Sequence, residues 1–288
     1  MHIGIIYNAG KGDYYKLKEG KEYIMKIIDF HTHIYPPEIA QKATDSICDF
    51  YGLNTNLMGS ADVLLERGRK AGITGYVLLP VAIKPEHTHH INQFIVKQTG
   101  IHSEFFGFGT LHAEMNDFNG EIDYIKSSGL KGIKLHPDSQ GFAIDDERLF
   151  PVYDRLQGEL PILIHCGDKR YDYSHPKRLL RIINEFPKLK IIAAHLGGWS
   201  VFDEGFRLLK DKECYFDISS CMSFMPAKQI VKYIRGYGAD RILFGSDFPL
   251  WDPVKEVELF LSLKLRTEEQ ERIAFQNAEC ILKGGDIR

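Results

Sequence analysis

A short run of apolar, largely β-branched residues, then a polar or Gly-rich turn, then an amphipathic segment: this unit recurs eight times, and no other feature limits the fold of the chain as strongly. The runs cover residues 27–31, 75–80, 105–110, 132–136, 162–165, 191–195, 214–218 and 242–247. Continuous apolar runs of this length suit parallel strands buried on both faces. Strands alternating with helices build βαβ units. Residues 61–71, 179–186, 256–263 and 267–278 carry helical patterning, the last opened by a candidate capping box of Thr267 and Gln270. Eight such units in 288 residues favour an α/β fold of the closed (β/α)8 TIM-barrel type, which takes about 250 residues, over an open doubly wound sheet. No identical repeat and no linker marks a second domain. The expected organisation is an N-terminal appendage over residues 1–25 and a barrel over residues 26–288. Within the appendage a short apolar run, 3–7, precedes a stretch rich in Gly, Lys and Tyr, and Met25 immediately before the first barrel strand suggests an overextended start.

Composition narrows the function classes. A net charge of −3 without any Lys/Arg block argues against nucleic acid or an anionic membrane as partner. No run of about 18 apolar residues exists to span a bilayer, and the N-terminus lacks the apolar stretch of a secretory signal. Five cysteines without a CxxC pair read as reduced thiols in a cytoplasmic protein. The expected partner is a small-molecule substrate, and a homodimer is compatible with such a chain.

Active sites of (β/α)8 barrels lie at the C-terminal ends of the strands. Ionisable residues recur there: His31 and His33 after the first run, His136 after the fourth, His165 after the fifth, His195 after the sixth and Asp247 after the eighth. Strands 1 and 8 of a closed barrel are neighbours, so these side chains can meet at one mouth. Strand parity puts Asp29, His31 and His33 on one face. His31, His33, His165 and Asp247 offer three imidazoles and a carboxylate, a donor set suited to one Zn²⁺, with Mn²⁺, Fe²⁺ or Co²⁺ also compatible. Asp247 doubles as a general base, and His195 polarises substrate or serves as structural support. Lys134 reads as a bridge to a second cation, a cap on the barrel floor, or an ion-pair partner. Around the mouth, Arg170 is a carboxylate clamp or a solvated charge. His136 faces substrate or supports the ligands, and Trp199 and Trp251 form an apolar wall or pack. His87, His89 and His90 read as an exposed polar loop, and parity turns Cys166 away from the site. The long segment 34–72 reads as a lid or specificity element.

Five ordered motifs resemble the amidohydrolase superfamily: Ile28-Asp-Phe-His-Thr-His, Lys131-Gly-Ile-Lys-Leu-His-Pro, Pro161-Ile-Leu-Ile-His-Cys-Gly-Asp, Lys190-Ile-Ile-Ala-Ala-His-Leu-Gly-Gly and Arg241-Ile-Leu-Phe-Gly-Ser-Asp-Phe-Pro. The branch they resemble includes aminocarboxymuconate-semialdehyde decarboxylase and its relatives, over roughly residues 26–282. The resemblance implies a distorted barrel and a mononuclear metal, often zinc, with ligands at His31, His33, His165 and Asp247 and the strand-6 histidine at His195. Two reactions fit. The first expectation is hydrolysis of an amide, ester or lactone by a metal-activated water, with Asp247 as base and His195 at the oxyanion. The alternative is non-oxidative decarboxylation of a small unsaturated or aromatic acid, in which Arg170 would hold the remaining acid groups.

Overall fold

The computed structural model describes residues 5–8, 13–18 and 21–285. Within the appendage, strands Ile5–Asn8, Asp13–Lys18 and Lys21–Ile24 form an antiparallel sheet of their own. Residues 1–4, 9–12, 19–20 and 286–288, and with them part of the expected appendage, lie outside the described residues.

Eight parallel barrel strands follow: β1 (Ile28–Thr32), β2 (Gly75–Leu78), β3 (Phe105–Gly107, continuing as Gly109–Thr110), β4 (Ile133–Leu135), β5 (Ile162–Ile164), β6 (Ile191–Ala193), β7 (Tyr215–Asp217) and β8 (Ile242–Leu243). The first half of β3 pairs with β2 and the second half with β4. Closure runs through the Thr32–Phe248 bridge and through Phe30 N to Phe244 O, His33 N to Phe248 O and Asp247 N to His31 O, each of the three bonds 2.8 Å. The strands are shorter than the apolar runs because the last residues of most runs leave the ladder at the mouth.

Along β5, Leu163 belongs to one apolar cluster and Ile162 and Ile164 to the other, as a strand buried on both faces requires. Leu163 joins Phe30, Val77, Phe108, Ile192 and Leu243 inside the barrel, while the larger cluster packs the strands against helices. Lys134 stands in register with Leu163, so its side chain points into the lumen. The register of β1 against β2 shifts between Asp29 and Thr32. Such an irregularity lets two successive residues face one side: Phe30 packs edge-on against Phe108 inside the barrel, and His31 faces inward as well. Asp29 therefore does not share the face of His31, contrary to simple parity. Its Oδ1 accepts the N–H groups of His31 (3.2 Å) and Ser246 (2.8 Å), tying β1 to the segment after β8.

The long 34–72 segment holds two helices, Ala40–Tyr51 and Ala61–Lys70. His89 and His90 lie on helix Thr88–Ile101 rather than in a loop, and His89 meets Glu121 at 2.9 Å. The final helix starts one residue before the expected box: Glu269 accepts the Arg266 N–H (2.7 Å), and Arg266 has no acceptor to return the bond. None of the five cysteines forms a disulfide, and Cys166 points away from the mouth toward Gly197 O at 3.2 Å. Among the described residues no helix is long and apolar enough to cross a membrane.

Helix Pro253–Ser262 buries Glu256, whose Oε2 has no hydrogen-bond partner. Burial, reinforced by Asp29, pushes its carboxyl up to about 8. A raised acid binds its proton more tightly folded than unfolded, so its contribution is full below the ordinary carboxyl range and is lost as pH rises toward 8. Glu256→Gln should therefore flatten the decline in urea-unfolding stability between pH 5 and about 8; an unchanged pH profile would contradict the assignment.

Candidate metal centre

Three of the imidazoles at the mouth spend one nitrogen outward. His31 Nδ1 bonds Asp217 Oδ2 at 2.9 Å, His33 Nδ1 bonds Leu79 O at 2.6 Å and His195 Nδ1 lies 3.0 Å from Ser219 O. A carboxylate or carbonyl only accepts, so these nitrogens carry the protons and the opposite Nε2 atoms are bare. Fixing the tautomer this way is the usual outer support of a metal-binding histidine. Burial, with Lys134 nearby, holds His31 down to about 3, and burial holds His165 well below its ordinary range. Both rings are thus neutral, as ligation requires.

The bare nitrogens converge on Asp247. Its Oδ1 lies 3.5 Å from His31 Nε2 and 3.3 Å from His33 Nε2. Two ligands about 2.1 Å from one cation at a tetrahedral angle stand about 3.4 Å apart, so these separations are those of a coordination edge. Asp247 Oδ2 accepts the Ser220 hydroxyl, which in turn accepts Trp251 Nε1–H at 2.7 Å; Oδ1 is left to the site. Burial opposes the charge of Asp247, yet His31, His33 and His195 hold its carboxyl well below the usual range. Asp247, His195 and Ser220 all have positive φ (64°, 56° and 51°), a conformation non-glycine residues rarely adopt outside over-determined sites.

His165 completes the cage from the other side. Its Nδ1 lies 3.0 Å from the bare His195 Nε2. Its Nε2 and Asp138 Oδ2 are both buried, lack partners and stand 3.7 Å apart. With His195 Nε2 bare, His165 Nδ1 is the donor across that 3.0 Å contact, which leaves the Nε2 lone pair of His165 unused. Those orphaned atoms and the convergent donors fit a divalent cation held by His31, His33, His165 and Asp247.

Two other donor groups are excluded by geometry. His136, Asp138 and His165 lie close together, but the two rings stack 4.0 Å apart at 8°, and lone pairs in parallel planes cannot meet on one ion. In the His31–His195–Asp217 group, Asp217 is engaged by the His31 Nδ1 proton. Lys134 is fully buried and its Nζ lies 3.3 Å from His31 Nε2, with burial lowering it to about 8.

Around this cage stand the remaining expected residues. Arg170 is turned onto Asp168 (Nε–Oδ1 3.0 Å, Nη2–Oδ2 2.6 Å) and the carbonyl of Phe50, so its donors are already engaged. Trp199 continues an aromatic wall: Tyr51–Trp199 5.2 Å, Trp199–Phe224 5.8 Å and Phe224–Trp251 5.7 Å between ring centroids. His136 contacts Tyr51 Oη at 2.6 Å. Sequence reasoning passed over Asp217, Asp138, Ser219, Ser220 and Tyr51. Asp217 ends β7, and the strand-end rule that selected the histidines also applies to it; the others have no such mark.

Replacing Asp217 by Ala frees the His31 tautomer, and cation affinity should fall about 10- to 100-fold in chelator competition; unaltered affinity would remove Asp217 from the site.

Solved structures share the barrel. An uncharacterised TIM-barrel protein from Bordetella bronchiseptica superposes with a TM-score of 0.72 at 20% identity, covering 90% of this chain and 99% of that one. A 2,6-dihydroxybenzoate decarboxylase, bound to 2,6-dihydroxybenzoate, gives 0.72 at 17% identity over 90% and 99% of the two chains. A dihydroxybenzoic acid decarboxylase from a Polaromonas species, holding manganese and the inhibitor 2-nitroresorcinol, gives 0.71 at 17% over 90% and 97%. No curated protein matches the sequence. Fold and site together define a (β/α)8-barrel enzyme with its polar centre at the strand ends. The amidohydrolase family model matches residues 28–283, and the chain belongs to that family.

Proposed function

We propose that this protein is a divalent-cation-dependent carboxy-lyase acting on a small aromatic or unsaturated acid. The observation that carries the cation is the convergence of the bare His31 and His33 nitrogens on Asp247 Oδ1 at coordination-edge distances. Decarboxylation rather than hydrolysis is supported by the activities named for similar barrels and by the aromatic wall at the mouth, which suits a flat ring. The residues alone fit both reactions, since a base beside a cation serves each, and hydrolysis is the first expectation from the sequence.

A bound cation would hold an acid or hydroxyl oxygen of the substrate and draw charge from it. Manganese is present in three similar structures, and zinc is also suited to three imidazoles and a carboxylate. The chain's own groups do the rest. Trp199, Phe224 and Trp251 flank the ring and exclude water. Asp247, its Oδ2 fixed by Ser220, is the carboxylate placed to take up a proton and hand it to the carbon from which CO₂ departs. His195, fixed through Ser219, steadies the oxygen on which charge collects. Arg170, already paired with Asp168, shapes the rim. The reading includes a small-molecule substrate and a cytoplasmic setting.

Purified protein reconstituted with Mn²⁺ or Zn²⁺ should release CO₂ from 2,6-dihydroxybenzoate and lose that activity on chelation. Asp247→Asn should lower kcat by at least about 100-fold. Hydrolysis of lactone or amide panels without CO₂ release would instead establish the hydrolytic reaction. Elemental analysis should give one ion per chain; two would make Lys134 a bridge.

A further inference from the structure

We propose that Tyr51 is a catalytic residue of this site, its hydroxyl donating a hydrogen bond to an anionic oxygen of the substrate, with His136 holding it in place. The argument starts from the tautomer of His136. The backbone N–H of Ser139 points at His136 Nδ1 (3.3 Å), and an N–H can only donate, so Nδ1 is bare and Nε2 carries the proton. That proton faces Tyr51 Oη, 2.6 Å away. Tyr51 Oη is thus an acceptor toward His136, and its own proton must go elsewhere. Among the described residues Tyr51 Oη has no other hydrogen-bond partner in evidence.

The direction left to the Tyr51 proton is the mouth. Its ring stands 6.2 Å from that of His165 and 5.2 Å from that of Trp199, between the cation cage and the aromatic wall. The donor is rigidly mounted. His136 N–H bonds Gln140 Oε1 (2.8 Å), and Gln140 Nε2 bonds Ala82 O and Leu111 O, both 2.8 Å. Tyr51 ends helix Ala40–Tyr51, which Gly52 terminates in the left-handed conformation (φ 64°), and Arg170 grips the carbonyl of Phe50 beside it. Two clasps therefore hold the end of this helix over the strand ends. A half-buried hydroxyl facing the site favours ligands that offer it an acceptor, which identifies the ligand class as oxyanions: carboxylates, phenolates or hydroxamates.

The inference rests on the cation-site reading of the mouth but not on which reaction it runs, so the probe is acetohydroxamate, a chelating oxyanion that is not a substrate. Its affinity is read from the visible spectrum of cobalt-loaded protein. Tyr51→Phe removes only the hydroxyl and should weaken acetohydroxamate about 10- to 100-fold while cobalt content and Tm stay at wild-type values. In parallel, ¹⁵N NMR of imidazole-labelled protein should show His136 protonated at Nε2 and bare at Nδ1. Equal affinity in the variant, no acetohydroxamate binding by either form, or a His136 protonated at Nδ1 would each overturn the proposal. Wild-type protein that binds acetohydroxamate more tightly than the variant yet fails to decarboxylate 2,6-dihydroxybenzoate would remove the assigned reaction and leave Tyr51 in its role.

Discussion

The hydrogen bond from His31 Nδ1 to Asp217, spanning from the first strand to the seventh, is the constraint on which the site depends. It decides which nitrogen of His31 is bare, and so where a positive ion is drawn. Asp217 also accepts the backbone N–H groups of His195 (3.0 Å) and Ser219 (3.1 Å). One buried carboxylate thereby orients a ring on each side of the cage. Although burial works against its charge, His31 leads the contacts that keep it ionised, well below the ordinary carboxyl range. Leaving such a charge unpaired in the interior is costly, so Asp217 and the imidazoles it orients stand or fall together.

Much of this arrangement was legible in the chain because a barrel converts position along a strand into position at the mouth. His31, His33, His165, His195 and Asp247 each follow an apolar run, and closure brings such places together whatever their separation in sequence. Asp217 obeys the same rule and was passed over because an apolar residue, Ile218, follows it. Tyr51, Ser220 and Asp138 carry no periodicity that marks them; their roles arise from contacts such as that between Tyr51 and His136, which lie 85 positions apart. Parity failed at Asp29 because it presumes an even ladder, and the register shift in β1 is not written in composition. Arg170 looked like a free cation because its partners, Asp168 and the Phe50 carbonyl, became its partners only on folding.

The division of labour follows the mechanics of the fold. The donors proposed for the cation sit on or just beyond strands, where ladder bonds and lumen packing fix them within a narrow range. The groups proposed to meet substrate, Tyr51, Trp199, Phe224 and Trp251, come from the connections that follow the strands. Loops and short helices tolerate exchange far better than strands, so the chemistry of charge withdrawal and the choice of substrate are carried by separable parts.

The shifted register of β1 has a consequence for how this strand can vary. Because Phe30 and His31 are adjacent and both face the lumen, the strand plugs the barrel and presents an imidazole within a single step of backbone. An even ladder would turn one of the two outward, giving up either the aromatic plug against Phe108 or the ring against Asp217. The length of this strand is therefore set to the single residue: its side chains can be exchanged, but a deletion between Asp29 and Thr32 forces a choice between a filled barrel and a cation cage.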